Sequence, residues 1–198
     1  VDQIRKGDVV VSTKRGESPA NATAAIRRVV KTVCKNHKAT LVTLSRSGLK
    51  VTEWHPIRHR GAWCFPANLE DAREEDCDAV YSFLLEEETH CSMIINGVEC
   101  ITLAHGIEND TVASHEYYGS RAVAEDIVAM VSDEYGCVEL CQTSGCVLRN
   151  PDTGLVCKLV QGDDTLKGVI SAVSNSVCLL DTGKPSRLHH KDASSLEE

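Results

Sequence analysis

Val51-Thr52-Glu53-Trp54-His55-Pro56-Ile57 decides the reading of this chain: a Thr and a His stand three residues apart at the close of an apolar run. Just upstream, Ala39-Thr40-Leu41-Val42-Thr43-Leu44 alternates apolar and polar residues, Ser47-Gly48 turns the chain, and Leu49-Lys50-Val51-Thr52 returns it. A hairpin is therefore expected to deliver Thr52 and His55 to a strand end. Downstream, Ala79 to Leu85 opens a strand-like run ending in Thr89-His90, and Asn96-Gly97 is a hairpin-turn dipeptide.

Towards the start, Gly7-Asp8 makes a tight turn into the Val-rich Val9-Val10-Val11, because Gly takes positive φ freely and Asp bonds its own backbone. Residues 13–25 are small and polar and read as a loop. From Ala24 to Lys38 the clustered β-branched residues favour a strand over a helix. The first residue is Val, in mid-pattern, as expected of a fragment, a processed chain or a rearranged one.

The chain has 198 residues, enough to bury a core in one domain, and 29 acidic against 21 basic residues give a formal charge of −8. An acidic balance argues against a nucleic-acid footprint and leaves a polar or neutral partner. No apolar run has the length of a membrane span and no signal peptide is read, so no membrane is expected. Ten cysteines, Cys34, Cys64, Cys77, Cys91, Cys100, Cys137, Cys141, Cys146, Cys157 and Cys178, sit singly among apolar residues. They read as reduced core thiols of a cytoplasmic protein rather than as a disulfide framework.

The order of Gly7-Asp8, Thr52/His55, the Val80-Tyr81 run ending at His90, and Asn96-Gly97 resembles the Hint family, the self-processing domain of inteins and hedgehog proteins. The resemblance is closest to the Vint variety found beside von Willebrand factor A domains. It extends through Trp54-His55-Pro56-Ile57, Gly61-Ala62-Trp63-Cys64-Phe65-Pro66, Asn96 to Gly106 and Ser114-His115-Glu116-Tyr117-Tyr118-Gly119, over roughly residues 1–160. It implies a mainly β, horseshoe-like arrangement of twisted hairpins with a short helix. The implied activity is autoproteolysis by an N–S or N–O acyl shift at the bond before the nucleophile. The substrate would be the domain's own flanking polypeptide, with water or a small nucleophile as acyl acceptor and no cofactor.

That chemistry asks for a group that protonates the departing amide nitrogen, and His55 answers with a pKa expected near working pH. Thr52 would orient His55 or hold the scissile backbone, and His90 would polarise the carbonyl or assist the second step. Inteins end in His-Asn, whereas Val98-Glu99-Cys100-Ile101-Thr102 follow Asn96-Gly97 here, so full splicing is not expected.

Ser120 to Ser132 carries the period of one helix, with Gly136 as its stop. Asn150-Pro151-Asp152-Thr153-Gly154 should join Val147-Leu148-Arg149 to residues 155–160 as a hairpin. Cys137, Cys141 and Cys146, with His105 or His115, are a minor zinc alternative whose spacing misses C-x-x-C. Residues 171–185 resemble the opening block of a Hint domain, and Leu196-Glu197-Glu198 would run on into Val1, so a circular permutation is expected, with an ordinary polar tail as the alternative. The nucleophile position then falls at Ser171, or at Ala172 with one deletion, which points to an inactivated variant; Cys178 is read as core. The expected division is a Hint core over 1–135, a hairpin extension over 136–162, and a permuted block or tail over 163–198. A catalytically silent β-domain for protein contacts is the competing function.

Overall fold

A computed structural model of the chain describes residues 1–17, 22–141 and 146–161. The fold is mainly β: thirteen strands and one α-helix among the described residues. Ser171, Ala172 and the whole 163–198 segment lie outside the described residues, and with them the permutation.

The expectation of a loop over 13–25 is corrected. β1 (Val9–Lys14) takes the first two of those residues, and the long β2 (Ala22–Val33) takes the last four. Antiparallel pairing overrides the weak local signal of this small-residue stretch: Val9 lies opposite Ala25 and Ser12 opposite Ala22. The preference for a strand from Ala24 onward agrees with β2, which crosses most of the molecule and buries Ala24, Ile26, Val29 and Val30.

A single 3₁₀ turn at Lys35–His37 leads into β3 (Lys38–Leu44), which pairs with β4 (Leu49–Thr52), Leu41 opposite Thr52 and Leu44 opposite Leu49. That is the hairpin read from the sequence. β5 (Ile57–His59) and β6 (Ala62–Cys64) make a second, smaller hairpin, and β7 (Ala72–Asp76) returns along β3. β8 (Ala79–Leu85) pairs antiparallel with β2. The run that was expected to end at Thr89-His90 stops at Leu85. Glu86 to Thr89 turn, and His90 opens β9 (His90–Ile95). Four consecutive polar residues cannot continue a strand buried at Phe83, Leu84 and Leu85. Asn96 and Gly97, with φ of 49° and 76°, form the two-residue turn into β10 (Val98–Ile101).

α1 (Arg121–Ala129) is capped by Ser120, whose side chain accepts from the Ala122 N–H. The helix ends at Ala129, one turn earlier than the Ser132 expected. Gly136, φ 75°, closes a separate turn whose N–H reaches the Asp133 carbonyl. β11 (Cys137–Cys141) then lies parallel to β2, and β12 (Val147–Arg149) pairs with β13 (Val156–Leu159). The main sheet runs β11-β2-β1-β9-β10-β5-β6, with β8 also on β2. One core joins the helix, β11 and the β12–β13 hairpin: Val123 and Ile127 pack with Val30, Val138, Leu140, Val147 and Leu159. No helix among the described residues is long and apolar enough to cross a membrane.

Candidate active site

Thr52 and His55 are joined by one turn. The His55 N–H bonds the Thr52 carbonyl at 3.1 Å, so a spacing of three residues folds the His back beside the end of β4. Trp54, within this turn, makes an edge-on contact with Phe65, ring centroids 5.4 Å apart. The next residue ties the turn to the main sheet, since the Ile101 N–H donates to the Pro56 carbonyl at 3.1 Å. The Ile101 backbone lies beside the His55 ring and favours its protonated form, and since the Ile101 N–H is taken by Pro56 the group facing the ring is the carbonyl.

Burial pushes the His55 pKa down to about 4, and the Ile101 backbone only partly opposes it. The expectation of a pKa near working pH is therefore corrected. At neutral pH the ring is uncharged and carries one N–H and one lone pair, with the Ile101 carbonyl beside it.

The segment after β10 gathers the remaining groups. The Thr102 N–H reaches the Cys91 carbonyl at 3.1 Å, the Ala104 N–H the Tyr118 carbonyl at 2.8 Å, and the Gly106 N–H the Gly119 carbonyl at 2.8 Å. Ala104 sits at φ 57°, a left-handed conformation that a residue with a Cβ seldom adopts. It turns His105 inward, where it is 2 % exposed. Burial, with the neighbouring charges of His115, Arg15 and His55, lowers the His105 pKa to about 4. Its Nδ1 accepts the Ile107 N–H at 3.0 Å, which fixes the proton of the neutral ring on Nε2. His115 is set in the same way: its Nδ1 accepts from the Tyr117 and Tyr118 N–H groups at 3.2 and 3.1 Å, and burial lowers its pKa. Arg15 ties the corner together, its Nε donating to the His105 carbonyl and its NH2 to the Glu88 carbonyl.

His90 enters the corner from β9, opposite Lys14 at a bulge in β1. Its side chain is 1 % exposed, with Glu87 Oε2 3.5 Å from Nδ1, and neither ring nitrogen has a hydrogen-bond partner among the described residues. The hydroxyls of Thr13 and Thr102 are buried and likewise have no hydrogen-bond partner among the described residues. These residues are neighbours: Thr13 lies opposite Ser92, and Thr102 bonds Cys91. Unsatisfied buried polar atoms are scarce in proteins because each costs about 1–3 kcal/mol, and here several lie close together.

The structure thus brings His55, from one hairpin, and His105 to the end of β10, with His90 one strand away; Thr52 serves as backbone anchor of the His55 turn. Sequence reasoning weighed His105 and His115 only as metal ligands and overlooked Thr13 and Thr102. No group of three or more His, Cys, Asp or Glu among the described residues could hold a metal ion, so the zinc alternative gains no support there. The one signal in the sequence for His105 is its glycine neighbour Gly106, which the structure places at φ 64°.

Gly119 shows how tightly the corner is filled. A Cβ there would lie 2.8 Å from His105 Cε1 and 2.8 Å from the His115 carbonyl oxygen. Gly119→Ala should therefore cost about 1–3 kcal/mol, as overpacking does, read as a lower urea midpoint with an unchanged m-value.

A mainly β fold with a Thr-x-x-His turn set against buried histidines at the end of a central strand defines a domain of the Hint class. Comparison with protein families bears this out: the model of Vint, a Hint-domain, matches residues 1–158, and the chain belongs to that family. Comparison with curated proteins finds no match.

Proposed function

We propose that this is a self-processing domain that cleaves its own polypeptide at the bond preceding a nucleophilic side chain, by an N–S or N–O acyl shift and without splicing. Membership of the Hint-domain family supports self-processing in general. The observation that carries the finer reading is the set of buried polar atoms without a partner among the described residues, Thr13 Oγ1, Thr102 Oγ1 and both nitrogens of His90, with the neutral His55 beside Ile101, the residue before Thr102.

In this reading the free lone pair of His55 takes the proton of the attacking thiol or hydroxyl. The sulfur or oxygen adds to the preceding carbonyl carbon. His55 then returns the proton to the amide nitrogen as the C–N bond breaks, leaving a thioester or ester and a free amine. The hydroxyls of Thr13 and Thr102 and the His90 ring are the donors for the carbonyl oxygen as it gains charge. Water or a small nucleophile resolves the ester. The acyl group comes from the flanking polypeptide, and the nucleophile position is assigned to Ser171 or Ala172.

The test is a rearranged chain in which residues 163–198 precede Val1, with Cys at 171 or, separately, at 172 and a short tag in front. Intact mass is followed in time with and without added thiol. Tag loss that thiol accelerates and that His55→Ala slows by about 100-fold or more is the expected result. An unchanged mass in both chains overturns the proposal and leaves a catalytically silent β-domain for protein contacts.

A further inference from the structure

At the corner where the chain passes between its two larger sheets, two thiols face each other. β2 ends with Val33 opposite Ala79 of β8, and β3 begins with Lys38 opposite Asp76 of β7. Between these pairs the two connections cross side by side. The Cys34 N–H donates to the Asp78 carbonyl at 2.9 Å, and the Cys77 N–H to the His37 carbonyl at 2.9 Å. The Cys34 thiol points at the Cys77 sulfur, Sγ to Sγ 3.9 Å across 43 residues of sequence, and the Cys77 thiol donates to the Ala79 carbonyl at 3.3 Å. Cys34 is buried, 4 % exposed, while Cys77 keeps partial access to solvent.

We propose that Cys34 and Cys77 form a reversible disulfide that staples the β2–β3 connection to the β7–β8 connection. The backbone bonds on either side already hold the two residues in register, so the sulfurs reach the bonding distance of about 2.05 Å by side-chain rotation. The accessible partner reacts first. The Cys77 thiolate attacks one sulfur of a small disulfide such as oxidised glutathione, forming a mixed disulfide and releasing one glutathione thiol. The Cys34 thiolate then attacks the Cys77 sulfur, forming the Cys34–Cys77 bond and releasing the second glutathione. The two protein thiols lose two electrons and two protons, and the oxidant gains both. Burial is the largest cause that raises the Cys34 pKa, and it persists once Cys77 is held in the mixed disulfide, so the second step is the slow one. This inference stands apart from the self-processing reading, because the pair lies in the connections of β2–β3 and β7–β8 and involves none of the residues assigned there.

The experiment treats the full chain with mixtures of oxidised and reduced glutathione, blocks the remaining thiols with iodoacetamide, and digests without reduction using trypsin and a glutamate-specific protease. Thr32–Lys35 carries Cys34 as its single cysteine, and Asp76–Glu86 carries Cys77 as its single cysteine. The linked pair of these peptides, 2 Da lighter than their reduced sum, is the first protein disulfide expected as the oxidant fraction rises. Its formation should raise the melting temperature by roughly 5 °C or more, reversed by reductant, since closing a loop of this length constrains the unfolded chain. Cys77→Ser, which keeps a donor for the Ala79 carbonyl, should abolish both effects; Cys157→Ser, at an exposed thiol, should abolish neither. Both peptides recovered alkylated or singly glutathionylated under conditions that oxidise other cysteines, or an oxidised chain with an unshifted melting temperature, would overturn the proposal.

Discussion

Between pH 6.5 and pH 4 the folded domain is expected to lose several kcal/mol of stability through His55 and His105 alone. Both rings are held neutral by burial, with pKa values lowered from 6.5 to about 4. Unfolded, each takes up a proton as the pH falls through 6.5; folded, each resists until about pH 4. The unfolded state thus binds more protons throughout this window, and stability is complete above pH 6.5, falls as the pH drops, and levels out below about pH 4. For His105, 2 % exposed, the loss is about 3 kcal/mol; for His55, which retains some exposed surface, about 2 kcal/mol. His115, also lowered by burial, adds to it in the same direction. Urea midpoints at several pH values between 7.5 and 5, above the ordinary carboxylate range, would show the slope. His105→Asn keeps an acceptor for the Ile107 N–H but removes one titrating group, and should flatten the slope by about one proton. Identical slopes in the two proteins would refute this account.

Removing Glu99 should be the most damaging single change at the strand that carries Ile101. Glu99 is 5 % exposed in β10, directly opposite Arg58 of β5, with Oε2 3.0 Å from the Arg58 Nε. Its other oxygen accepts from the Ser92 hydroxyl at 2.8 Å, and Ser12 in turn donates to the Ser92 carbonyl at 2.7 Å. The Arg58 guanidinium stacks 4.4 Å over Trp63. Glu99→Ala strands Arg58 and a buried hydroxyl, for a loss of about 3–5 kcal/mol. A well-packed apolar pair, Glu99→Met with Arg58→Met, should recover much of it, because the pair's desolvation cost disappears along with its attraction. A loss below about 1 kcal/mol in Glu99→Ala would mean that the network carries no net stability.

The Glu99 network is not visible along the chain. Glu99 and Arg58 are 41 residues apart and meet through the register of β10 on β5, in which Glu99 stands opposite Arg58 and Cys100 opposite Ile57. A single residue of slip would send Glu99 to the other face. The hairpins at 38–52 and 90–101 were legible because alternation and the turns at Ser47-Gly48 and Asn96-Gly97 are local signals. The loop expected over 13–25 failed because small residues say little locally, and pairing between β1 and β2 made the choice. The helix was legible in its face and its start at Ser120, but not in its end. Gly136 stops nothing helical; it serves a turn closed on Asp133.

By itself, the sequence determined a mainly β chain of the Hint-domain kind with a Thr-x-x-His turn, because that spacing, the alternation and the turn dipeptides act within a few residues. Tertiary structure alone decided what the histidines are. Packing against the end of β10 strips most water from His55 and nearly all from His105, a backbone N–H fixes the proton of His105, and a left-handed Ala104 aims it inward. A pKa depends on the solvent and charges around a ring, and those are supplied by strands distant in sequence.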